Sequence, residues 1–153
     1  MPLQKAFFSP WRLVDEGGVD PLLRGLIAVP AKLKTPHENL NTELTEHLFE
    51  VAHAVALDLA AINIQRGRDH ALPSYNTWRR YCNLSEAETF DDLKREISSQ
   101  TVRDKLRELY GHPGNMDIWV GGILEDQIDG AKVGPTFRCL LVEQFRRLRD
   151  GDR

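Results

Sequence analysis

Apolar residues recur along this chain at steps of three and four, and no segment alternates apolar with polar residues over a strand's length, so the pattern predicts a mainly α, multi-helix fold. The longest run extends from about Thr42 to Arg66: Leu44, Leu48, Val51, Val55, Leu59 and Ile62 form one stripe, and Gly67 stands where a C-terminal cap belongs. Asp20-Pro21 opens a helix that Gly25 is expected to keep short, and Ser74 caps a helix over Tyr75–Cys82. Thr89-x-x-Asp92 and Thr101-x-x-Asp104 each read as a capping box, the second run ending at Tyr110-Gly111. A last amphipathic helix starts at Gly134-Pro135 and places Phe137, Leu141, Phe145 and Leu148 on one stripe.

The end of the long run carries polar residues where apolar ones are expected. At about 100° per residue from Leu59, Ile62 lies near -60°, Asn63 near +40° and Arg66 near -20°, so the four share a face. Leu57, Ala60, Ala61 and Ile64 form a second apolar face, which predicts a helix wrapped on two sides. Polar groups buried there without partners would cost roughly 2 kcal/mol each. An amide can accept a hydrogen bond from an imidazole N–H and a guanidinium can clamp a carboxylate, jobs that fit a haem edge. The plainer arrangement is an Asn bonded to backbone and an Arg reaching solvent.

Composition narrows the classes. The 153 residues suffice for one domain, and a net charge of -3 gives no general attraction for nucleic acid. Basic and aromatic residues do interleave at Arg66-Gly67-Arg68 and Trp78-Arg79-Arg80-Tyr81, the ground for a nucleic-acid alternative that the acidic balance disfavours. No apolar stretch approaches the roughly 18 residues of a membrane span, and no signal peptide is expected at Met1. The two cysteines, Cys82 and Cys139, have no zinc-site spacing, which leaves one disulfide or two buried thiols, and no metal site is expected. Asn83-Leu84-Ser85 is a glycosylation sequon, meaningful in a secretory compartment.

The stretch Ile62-Asn63-Ile64-Gln65-Arg66-Gly67-Arg68-Asp69-His70, followed by Leu72-Pro73-Ser74-Tyr75-Asn76-Thr77-Trp78-Arg79-Arg80-Tyr81-Cys82, closely resembles the signature of the animal haem peroxidases, and of the peroxidasins most. The resemblance extends to Phe7-Phe8-Ser9-Pro10-Trp11-Arg12, the Glu16 to Leu26 segment, Asn115-Met116-Asp117-Ile118-Trp119, Val133-Gly134-Pro135, Gln144-Phe145 and the closing Arg149-Asp150-Gly151-Asp152-Arg153. It implies that residues 1–153 are the C-terminal portion of one haem peroxidase domain, incomplete on its N-terminal side.

Within that resemblance Asn63 matches the residue that accepts a hydrogen bond from the proximal histidine, Arg66 the one that meets a haem propionate, and Leu59 and Ile62 the proximal lining of the porphyrin. Cys82 and Cys139 match positions that bridge, and Ala71 replaces a glycine. The iron ligand and the distal catalytic residues are expected upstream, as is the calcium site, so no catalytic residue is expected in this chain. None of His37, His47, His53, His70 or His112 inherits the ligand role. The full domain would use haem and hydrogen peroxide to oxidise halides or aromatic donors, secreted into the extracellular matrix, with the remainder of the domain as partner and assembly into a homo-oligomer open. The chain alone is expected to be inactive. The alternative is a non-catalytic helical interaction module derived from a peroxidase.

Overall fold

The computed structural model describes residues 2–50 and 55–152, so Val51 and His53 of the sequence reading lie outside the described residues. Eight α-helices account for about half of the described residues: α1 Arg12–Asp15, α2 Asp20–Ala28, α3 Thr42–Thr45, α4 Leu59–Asp69, α5 Tyr75–Tyr81, α6 Gln100–Tyr110, α7 Ile118–Leu124 and α8 Pro135–Gly151. Among the described residues there are no strands, only isolated bridges, in keeping with the mainly α expectation. The chain divides into two compact units, Met1–Ala61 and Ile62–Arg153.

In the first unit α2 runs nine residues and passes straight through Gly25, longer than its glycine suggested. Nothing lies near Gly25 for a side chain to meet, so the glycine only weakens the helix and does not end it. Phe7, Phe8 and Phe49 gather their rings at centroid distances of 5.1 to 6.4 Å. The predicted Thr42 to Arg66 helix is broken. Only Thr42–Thr45 is helical at its start; Leu48 and Leu57 then exchange backbone hydrogen bonds of 3.2 and 3.0 Å, which buries Leu48. A new helix begins after Asp58, whose carboxylate accepts from the Ala61 N–H at 3.1 Å. A stripe at helical spacing does not by itself exclude a break between two short helices, and the Asp58 cap was the local signal of the restart.

The end of α4 also falls elsewhere. The helix passes Gly67, Ala71 takes φ +52°, and the Leu72 and Ala71 N–H groups donate to the Gly67 and Arg68 carbonyls at 3.0 Å each. That is a Schellman cap with an alanine at the left-handed position that favours glycine. Asn83, at φ +56°, closes α5 with the same pair of bonds, to Arg80 and Arg79.

The second unit holds a core of Tyr75, Phe90, Leu93, Ile97, Leu106 and Met116 with their neighbours. The Thr89/Asp92 capping box forms, heading a short 3-10 turn, Phe90–Leu93. The Thr101/Asp104 box does not: Ser99 caps α6 by accepting from Val102 N–H at 3.4 Å, and Asp104 is taken by Gln100 and Arg107. Helix α6 ends where read, with Gly111 at φ +71°. The Gly121-Gly122 pair lets α7 lie directly on the rings of Tyr75 and Phe137, where any Cβ would collide. Cys82 and Cys139 form a disulfide that ties the end of α5 to α8 across 57 residues. On α8, Leu141, Phe145 and Leu148 of the predicted stripe are exposed.

Candidate functional site

Asn63 and Arg66 sit one turn apart on α4 and line the same open groove of about 390 Å³, walled on its other side by Asp117, Ile118 and Trp119, with Gly67, His70 and Leu72 completing it. Asn63 is half-buried and has an interaction partner within the chain; Arg66 is exposed. Leu59 is half-buried and Ile62 is 37% exposed, and neither lines the groove. No residue of α4 is fully buried by the described residues, so the wrapping expected on two sides is not supplied by them. Apolar faces record a need for cover, and the described residues cover these only in part.

Arg66 and Arg68 are treated differently. Arg68 reaches Asp117 with Nε to Oδ1 at 3.0 Å and Nη2 to Oδ2 at 2.8 Å, and Tyr110 donates its hydroxyl to Oδ2 at 2.8 Å. The two Arg68 bonds hold the Asp117 carboxyl below the usual range, while burial, helped by Asp117, pushes the Tyr110 phenol up to about 12. Arg66 has no carboxylate partner among the described residues, which leaves an exposed cation at the groove.

The second unit also holds a buried polar network that the sequence did not announce. Glu125, fully buried, accepts from Tyr75 Oη at 2.7 Å, from Thr136 Oγ1 at 2.5 Å and from Thr136 N–H at 2.9 Å. Arg79, 1% exposed, lies 3.5 Å from Glu125 through Nη1 and binds Glu96 at 2.8 Å and the Ser85 carbonyl at 2.7 Å. Burial pushes both the Glu125 carboxyl and the Tyr75 phenol up, against the pull of their hydrogen-bond donors and of Arg79. The network joins the start of α5, the end of α7 and the start of α8. Arg80 is held by Glu86 at 2.6 and 2.8 Å, so Trp78-Arg79-Arg80-Tyr81 does not display two free cations beside its rings.

Sequence reasoning missed Asp117, Trp119 and Tyr110 as neighbours of the site. Their motifs were visible, Tyr110-Gly111 and Asn115 to Trp119, but nothing local tied them to α4. Among the described residues no cluster of three or more metal-binding side chains occurs, and no helix is long and apolar enough to cross a membrane.

Comparison with known proteins decides the lineage. The animal haem peroxidase family model matches residues 1–153, the whole chain. The chain belongs to the animal haem peroxidase family. Among animal haem peroxidase relatives it is 73% identical over 151 residues to peroxidasin of Drosophila melanogaster, covering 99% of this chain and 10% of that protein. It is 54% identical over 153 residues to thyroid peroxidase of Sus scrofa, covering 100% of this chain and 16% of that one. The solved structure of peroxidase A from Dictyostelium discoideum superposes with a TM-score of 0.77 at 36% identity, over 92% of this chain and 26% of that chain. The chain thus spans about a tenth of the peroxidasin it matches.

Proposed function

We propose that this chain is the C-terminal portion of a haem peroxidase domain and that α4 forms the proximal wall of its haem pocket. Asn63 accepts a hydrogen bond from the ring N–H of an iron-bound histidine supplied by polypeptide upstream, holding the imidazole's orientation and its basicity. Arg66 pairs with a haem propionate, and Leu59 and Ile62 lie along the porphyrin. The observation that carries this reading is a guanidinium with no carboxylate partner in the described chain, one turn from an amide, in a groove, while Arg68 two residues away is fully engaged. These residues fit the group: an amide acceptor for an imidazole donor, a cation for a carboxylate, and apolar side chains for a ring.

When bound, haem supplies the oxidation of halides or aromatic donors at the expense of hydrogen peroxide; this chain's residues hold and orient it. Calcium, in this reading, binds outside the chain. The Cys82–Cys139 disulfide and the exposed sequon asparagine, Asn83, support secretion into an oxidising extracellular space. The test is haem incorporation in the intact peroxidase that carries this chain. Arg66→Ala is expected to reduce haem per protein about tenfold, the scale of losing a residue that supports a bound metal group. Full incorporation in a folded Arg66→Ala protein would overturn the pairing of Arg66 with haem, and an intact parent protein that takes up no haem would favour the non-catalytic interaction module instead.

A further inference from the structure

We propose that Asp117, with Arg68 and Tyr110, forms a positioning clasp that sets the Asn63 and Arg66 edge of α4 for its haem contacts; this rests on the reading of that edge given above. Helix α4 has no buried residue to fix its rotation about its own axis. Arg68 lies at about 180° on the helical wheel when Arg66 lies near -20°, so a grip on Arg68 fixes the rotation of the helix without engaging the Asn63 and Arg66 side chains. That grip is bidentate, at 3.0 and 2.8 Å, and a planar fork of two bonds fixes orientation as well as distance.

What makes Asp117 suited to the task is how much else converges on it. It stands immediately before α7. Its backbone bridges to Ser74, the residue before α5, and the next N–H along, of Tyr75, donates to the Met116 carbonyl at 2.9 Å. Its second carboxylate oxygen receives Tyr110, the last residue of α6, at 2.8 Å. Four helix ends of the second unit therefore meet at one residue, two of them, those of α4 and α6, through its carboxylate. Asp117 and Trp119 also line the groove opposite Asn63 and Arg66, so the residue that holds the helix also shapes the space in front of it. Arg68→Lys keeps the charge and loses the fork. Tyr110→Phe keeps the ring and loses one of the three bonds.

The experiment uses the intact peroxidase that carries this chain, with Asp117→Asn, Arg68→Lys, Tyr110→Phe and, as reference, Arg66→Ala. Haem per protein and the position of the ferric Soret band are read on the folded fraction. The expected result is that Asp117→Asn lowers haem incorporation about tenfold and moves the Soret band in the direction Arg66→Ala moves it, as losses of supporting residues do. Arg68→Lys and Tyr110→Phe follow with smaller changes of the same sign. If Asp117→Asn yields no folded protein, the two milder variants decide. Clasp variants that melt earlier but keep full haem and an unmoved Soret band overturn the proposal, since a merely structural contact behaves so. Should Arg66→Ala itself leave haem untouched, the haem reading fails, and that result is distinct from failure of the clasp alone.

Discussion

Leu26 and Ile27 on α2 are 80% and 88% exposed, whereas Phe90 and Leu93 of the second unit are fully buried. Both segments carry apolar residues at helical spacing, and only one finds cover. Among the described residues of the first unit Leu48 alone is buried, while the second unit assembles a core, a disulfide and the Glu125 network. The difference shows what periodicity records. A stripe marks a face that requires a partner, but the partner's place in the chain is a separate matter. We read the uncovered faces, including that of α4, as surfaces made for the remainder of a peroxidase domain.

The sharpest way to break the second unit is through its buried charges. Arg79→Ala leaves the Glu125 carboxyl buried without its cation and is expected to cost about 3–5 kcal/mol in a urea melt. Replacing Cys82 and Cys139 together by serine frees a 57-residue loop in the unfolded chain and costs up to about 4 kcal/mol, read the same way. Ala71→Gly works in the other direction: it relieves a left-handed alanine, and a gain of about 1 kcal/mol in the melt is expected. Smallest of all, Leu26→Gln in the first unit changes the stability of this chain by less than about 0.5 kcal/mol, because the side chain is already in water. A loss of several kcal/mol there would mean that the contrast between the units is false.

Much of the fold was legible because helix ends are local chemistry. The Thr89/Asp92 box, Gly111 after α6 and Pro135 at the start of α8 each act within a turn of where they stand. The failures share a cause. Leu48 leaves the predicted helix to pair with Leu57, and α4 runs past Gly67 to a cap at Ala71, so in both places the chain overrode the simplest local signal. Ser99 displaced Thr101 as a cap because two hydroxyl residues, separated only by Gln100, offered the same service. At the site, Asn63 and Arg66 were visible from a wheel, since both lie on one helix. Asp117, 49 residues from Arg68, was not, and neither was Glu125, 50 residues from Tyr75. Such contacts leave no trace in spacing.

The central claim is that the Asn63 side chain holds the imidazole bound to iron. An acceptor on that ring N–H gives the imidazole anionic character and stiffens its bond to the metal. Resonance Raman spectra of the ferrous intact peroxidase report the iron–histidine stretch directly. Asn63→Ala is predicted to lower that frequency; an unchanged frequency in a folded, haem-loaded variant would contradict the account.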